Sequence, residues 1–540
     1  MLLSGFSTKT GKKLSCRFEK GKRNIILRLE SLQVKLHSVL IILILICLFQ
    51  QAASDAASPP SPVEALCPSS PGEVRVPAVV TAHLNGREYR ASADRSGCFE
   101  MPLAGRTPRQ VSLRLSFRGE NTTVPAWVIQ RSSQPHADNH ALWNVILFLD
   151  ASEDLERYQE RTLALLEELG GSRQVRILLA LLHPSGRGFS TRYYQVRKPE
   201  EVPLDFSDGM VMGRVVLGQD GLHLIQSPAC SLLFEPRGFP ATGPGEALRC
   251  FLSFCATSFP STRRLLVLSL HGEAFRGLRA GGGTPGVDKE EVISLIDLKN
   301  ILLKFPGVEI LGFDACRMAT MEVAMAVEGA LAPDGVVVAS PQDIPARGWP
   351  LSLMIKALKE SPEWAAGRLA DGIISTYAGE YRRLGYPSEA LTIIKVSGMS
   401  RVRASLETLS HRLKEELRVS GGKTIIMETR QSAAVYSDSS YIDIGIFAEE
   451  TALKFSAAPS ARAARQVLFS LNEAVVTSGA GSVSSGRGFG LAVYFPAPAA
   501  SRNNEEMRLY REVWDNLSVK ERGWPDFVRA LSPSAEGEKQ

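Results

Sequence analysis

Residues 70–127 alternate apolar and polar positions in short runs, the period of half-buried strands. Asn85–Gly86 predicts a hairpin turn, and further turns are expected at Asp94–Gly97 and at Gly105–Arg106. After the polar spacer 131–141 the period is lost. Unbroken apolar runs now alternate with helix-length segments: WNVILFLD (143–150), VRILLALL (175–182), RRLLVLSL (263–270), VEILGF (308–313) and GVVVAS (335–340). Such runs, bounded by turns, predict strands buried on both faces and therefore a mostly parallel sheet covered by helices. Helices are expected over 154–169 and 400–418. LTIIKV (391–396), YIDIGIFA (441–448) and GLAVYFP (490–496) add strands to the same body. The expected fold class is α/β, a mostly parallel sheet flanked by helices and preceded by a small β-sandwich.

Length and charge refine this picture. A chain of 540 residues has room for two to four domains. The net charge of +5 is misleading, because residues 1–37 hold nine Lys/Arg against Glu19 and Glu30. That segment alone is +7, which leaves −2 for the rest and no footprint for nucleic acid. Val39–Phe49 is an eleven-residue apolar run behind the basic stretch, short for a membrane span and suited to a signal-peptide core or an anchor. Ala53 and Ala57 are plausible cleavage points. The expected location is outside the cytoplasm: periplasmic, cell-envelope or secreted, with membrane contact only through this segment. The boundaries read as 1–53 address, 54–66 Ser/Pro/Ala linker, 67–130 β-sandwich, 140–531 main domain and 532–540 tail. Eight cysteines are too few for a disulfide scaffold. Cys67 and Cys98 are candidates to pair, and Cys230, Cys250 and Cys255 read as buried small hydrophobes.

Two strands end in pointed chemistry, at the sheet edge where reactive groups collect in parallel sheets. RRLLVLSL runs into His271–Gly272, and VEILGF into Asp314–Ala315–Cys316. The spacing allows a crossover and a helix between them, so one cleft can hold both side chains. An imidazole activates a thiol, and the stretch RMATMEVAMAV predicts a helix whose N-terminus would further favour the thiolate. The N–H groups of Gly272 and Cys316 form a candidate oxyanion hole. Taken alone, each of these residues is more often structural than catalytic.

With these blocks in view, the sequence resembles the clostripain-like cysteine peptidases, of the clan that includes caspases, gingipains and legumain. The resemblance rests on LLVLSLHG (265–272) and EILGFDAC (309–316), and on WNVILFLDASEDLE, EVAMAV, VVVASPQDIPARGWPLS (336–352) and GLAVYFP. It covers about residues 142–531 and implies a caspase-like sheet, a Cys316 nucleophile and a His271 general base or acid. It also implies cleavage of protein or peptide substrates after Arg or Lys, with Asp314 in the P1 pocket by a charge-assisted bond. Asp343 is a second pocket candidate and Trp349 a candidate wall. Self-cleavage in the 272–291 loop is implied as well, with Arg276, Arg279 and Lys289 as candidate sites. Glu273 departs from the family's usual residues after His-Gly. Calcium, used by some relatives, has no supporting motif here, and no other cofactor or metal is expected. Residues 70–127 resemble the prealbumin-like modules that precede secreted enzymes.

Rival motifs fail. GGKT (421–424) would need glycine at 417, where Leu417 stands, and no G-x-S-x-G or H-E-x-x-H occurs. The expectation is an exported cysteine endopeptidase; the alternatives are a non-catalytic envelope binding protein on the same scaffold and a thiol hydrolase of small amides.

Overall fold

The computed structural model describes residues 74–93, 98–108, 110–132, 140–152, 155–185, 188–198, 205–218, 221–225, 232–234, 243–281, 292–386, 391–477, 488–497, 504–518 and 522–531. Five parallel strands lie side by side in the order Val175–Ser185, Ala141–Asp150, Ser261–Ser269, Val308–Asp314 and Val336–Ala339. The apolar runs are continuous because both faces are covered. Ile146, Phe148, Leu266, Leu268, Leu311 and Phe313 enter one core. Their sequence neighbours Val145, Leu147, Leu265, Val267 and Ile310 enter another. At roughly 1.5–3 kcal/mol per buried large apolar side chain, burial on both faces holds these strands at the centre of the sheet. The helices Pro244–Ser258, Leu295–Leu303 and Met321–Val327 supply the first core, and Glu156–Leu169, Leu351–Glu360 and Ala366–Arg383 the second. Antiparallel strands extend the sheet on both sides, Gly188–Gln195 on one and Thr392–Lys395 followed by Val475–Thr477 on the other.

The N-terminal alternation forms the expected hairpin, Val79–Leu84 with Arg87–Ser92, closed by Asn85 and Gly86 at φ 50° and 74°. Both angles are left-handed, which is why this turn takes Asn-Gly. Gln110–Phe117 and Glu120–Trp127 complete a four-stranded antiparallel sheet. The core beneath this sheet includes Val211, Val215 and Leu222 as well as Phe99, Met101 and Leu103. Asp205–Gly218 pairs along Cys98–Pro108, so strands after residue 200 complete the layer.

Several local expectations are corrected. Gly105–Arg106 is no turn; Gly105, at φ 83°, lies inside Cys98–Pro108, where the pairing slips between Phe206 and Asp208 as at a bulge. The run 441–448 is a strand only over Tyr441–Asp443, because Asp443 accepts from the N–H of Ile446 at 2.9 Å and caps the helix Ile444–Lys454. This short strand pairs with Ala492–Tyr494 in a separate two-stranded ribbon, not in the main sheet. Cys250 is exposed on its helix while Cys255 is buried. Cys67 and Cys230 lie outside the described residues.

Candidate active site

The site is set by strand register. Ser269 lies opposite Asp314 on adjacent parallel strands, which run roughly 4.8 Å apart. His271 and Cys316 follow just beyond these paired positions, His271 in a short strand paired with Leu278–Arg279 and Cys316 in the turn after its strand. Both line one open cleft of about 390 Å³ together with Gly272, Arg317, Tyr441 and Tyr494. A Cβ on Gly272 would lie 1.9 Å from the carbonyl oxygen of Cys316 and 2.9 Å from its nitrogen. Only glycine allows the two backbones to touch here, and the contact holds the histidine and cysteine segments together.

Cys316 is half-buried, and burial pushes its thiol above the ordinary value. The N–H of Ile344 donates to its Sγ at 3.4 Å, which works in the opposite direction, and Sγ lies 3.8 Å from the Ile344 carbonyl oxygen as a donor. The expected helix dipole is not there to help. The helix starts at Met321 behind the cap Thr320, whose hydroxyl accepts from Val323 at 3.3 Å, and Cys316 sits in the preceding turn. Arg317, at φ 56°, interrupts any helical run from the cysteine.

Asp314 is buried beneath the strand ends. Its carboxylate accepts from the Ser269 hydroxyl and the Trp349 N–H, each at 2.9 Å, and a Cβ on Gly348 would lie 2.6 Å from Oδ2. Burial raises its pKa to about 6 despite these bonds. It is not among the residues that line the cleft of His271 and Cys316. Trp349 is a core residue, packed among Val145, Leu265 and Val267. Asp343 is engaged elsewhere: Oδ1 lies 3.0 Å from Arg317 Nε as an ion pair, and Oδ2 accepts from the Ser437 hydroxyl at 2.8 Å.

The structure also locates the remaining candidates. Glu273 pairs with Arg279 at 2.7 Å and Arg276 with Glu506 at 3.1 Å, all four on the wall of the cleft. Arg276 belongs to a 3₁₀ turn and Arg279 to a short strand opposite His271. Cleavage after either would require this wall to unfold. Lys289 lies outside the described residues. Among the described residues no group of three or more His, Cys, Asp or Glu is placed to hold a metal.

Three residues of the site were not singled out from the sequence. Asp150 ends the strand next to the histidine strand, where it accepts from the Gly281 N–H at 3.0 Å and the Ser152 hydroxyl at 2.9 Å. Burial raises its pKa, and the bonds from Gly281 and Ser152 act against that rise. Its position at a strand's carboxyl end was a usable signal. Arg317 and Asp438 meet at 3.0 Å across 121 residues, and no local pattern marks that pair.

The sequence profile of the clostripain family matches residues 241–530. No curated protein sequence matches the chain. Among solved structures, an inactive zymogen C11 protease from Parabacteroides distasonis is 18% identical, with 70% of this chain and 99% of that one covered at a TM-score of 0.47. A secreted C11 cysteine protease from Bacteroides thetaiotaomicron, in complex with an irreversible peptide inhibitor, is 16% identical over 70% of this chain and 100% of that one, at 0.45.

Proposed function

The chain belongs to the clostripain family and is a cysteine-type peptidase, and from that premise we propose an exported endopeptidase that cleaves after basic residues through Cys316 and His271. The observation that carries the proposal is that His271 and Cys316, each just beyond the end of one of two paired strands, line the same cleft. In the proposed reaction His271 takes the thiol proton and Sγ attacks the peptide carbonyl. The N–H groups of Gly272 and Cys316 receive the developing oxyanion, and a donor of this kind is worth roughly 3–4 kcal/mol. His271 then protonates the leaving amine, and water hydrolyses the thioester. Asp150, at the carboxyl end of the strand beside the histidine strand, is assigned to electrostatic support of the imidazolium.

Basic selectivity is assigned to Asp314, a buried carboxylate two residues before the nucleophile, where a guanidinium or ammonium would meet little competing water. Asp343 is assigned to its loop, because its oxygens are held by Arg317 and Ser437. For self-processing we propose Lys289, since Arg276 and Arg279 are built into the cleft wall. Export is supported by the apolar run 39–49 behind its basic stretch.

Hydrolysis of an Arg-P1 peptide amide against its neutral-P1 counterpart tests this reading. Wild-type protein should prefer Arg, and Cys316→Ala should lose activity by about 10³-fold or more with an unchanged circular-dichroism spectrum. Peptide mapping of the same incubations should show a new N-terminus at Glu290. Full activity in Cys316→Ala would refute the nucleophile, and equal turnover of both substrates would refute the basic pocket.

A further inference from the structure

Residues 343–349 cover two groups at once. The Ile344 backbone lies against Cys316 Sγ through its N–H at 3.4 Å and its carbonyl at 3.8 Å. Four and five residues on, Gly348 and the Trp349 N–H lie on the Asp314 carboxylate. The base of this loop is tied to the turn after the cysteine by two backbone bonds, Arg317 N–H to Gln342 at 3.0 Å and Ala319 N–H to Ser340 at 2.9 Å. Its far end is fixed by the Tyr381 hydroxyl, which donates to the Gly348 carbonyl at 2.7 Å, and by Trp349 in the core, and between the two ends one charged side chain bridges it to the rest of the site. The Arg317 guanidinium faces Asp343 Oδ1 at 3.0 Å from Nε and donates from Nη1 to Asp438 Oδ2 at 3.0 Å. Ser437, next to Asp438, donates to the other oxygen of Asp343. Arg317 adopts φ 56°, unfavourable for a residue with a Cβ, so its backbone is held there by these partners.

We propose that Arg317 is a positioning residue of the peptidase, a latch whose bridge from Asp343 to Asp438 keeps residues 343–347 over the nucleophile. This rests on the peptidase reading above. Substrate then reaches Cys316 once the bridge parts and residues 343–347 move aside, while Gly348 and Trp349 stay in place. The bridge is half-exposed, with the Asp343 side chain 53% accessible, so it can be broken without unfolding the core.

The latch is tested by chemical labelling, which needs no turnover. Wild-type protein, Arg317→Gln, Arg317→Lys and Asp438→Asn are treated with iodoacetamide and each cysteine is followed by peptide mapping. Exposed Cys250 and buried Cys255 serve as internal references. The proposal expects Cys316 to react about tenfold faster or more in Arg317→Gln and Asp438→Asn, with Cys250 and Cys255 unchanged. Arg317→Lys, which keeps the charge, should stay near the wild-type rate. An unchanged Cys316 rate in the folded Gln and Asn variants overturns the latch, as does a parallel rise at Cys255, which would mark general loosening. Should Arg317→Gln not fold, the wild-type chain is labelled in about 0.05 M and about 1 M NaCl, since salt weakens an accessible ion pair. The ratio of Cys316 to Cys250 labelling should rise, and a constant ratio overturns the proposal. Loss of peptidase activity in the wild type would sink the enzymatic reading without touching these rates.

Discussion

Asp314 holds its proton to a pH of about 6 in the folded chain, against an ordinary value of 3.8. Between those values the unfolded chain has released a proton that the folded chain keeps. Stability therefore falls as pH rises from about 4 to about 6, and the loss levels off above that at about 3 kcal/mol. In Asp314→Asn this component disappears. Denaturant unfolding at pH 4, 5, 6 and 7 should show a flatter profile for the variant than for the wild type, while the other buried acids contribute equally to both. Parallel profiles would mean that Asp314 is not desolvated as described. The residue scale was well legible where chemistry coincides with strand ends: His271, Gly272, Asp314 and Cys316 follow apolar blocks that could be read directly. What could not be read is which partners hold the acids, Arg317 and Ser437 for Asp343 and Ser269 and Trp349 for Asp314, since these are set by tertiary structure.

Among the elements, the buried strands were legible because the two-sided core demands unbroken apolar runs, and all five parallel strands sit where those runs predict. The miss at 441–448 has a definite cause. Asp443 looks like a single polar residue in a strand, yet its carboxylate accepts from Ile446 at 2.9 Å, from Tyr436 at 2.6 Å, from Phe489 at 2.9 Å and from Gly490 at 3.0 Å. It ends the strand, starts the helix Ile444–Lys454 and anchors the approach to Ala492–Tyr494. Asp443→Ala leaves several buried donors without a partner and should destabilise the protein by roughly 2–5 kcal/mol. Thermal and urea unfolding read this directly. A loss below about 1 kcal/mol would show that the network is not structural. The ribbon formed with Ala492–Tyr494 joins the turn after the nucleophile, through the Ala492 N–H to Ala319 at 3.0 Å. The same variant should therefore also lower peptidase activity.

At the scale of the whole molecule, the boundary near residue 140 is crossed by strands. Val211, Val215 and Leu222 complete the core under the N-terminal sheet, although they follow the first two strands of the parallel sheet in sequence. Pairings of this range leave no local mark, which is why the segment 205–225 was not read as strand. A chain begun at residue 140 would expose these side chains and should be less soluble and less stable than one begun at residue 70. Equal behaviour in sedimentation and thermal unfolding would mean that the two layers are independent. The central claim, that Cys316 and His271 act together on substrates with basic side chains, is tested most directly with an irreversible peptidyl-arginine chloromethyl ketone and mapping of the adduct. The account predicts a single adduct on Cys316 in the wild-type chain, formed at least about 100-fold more slowly in His271→Ala. An adduct on another cysteine, or equal labelling by a neutral-P1 ketone, would contradict it.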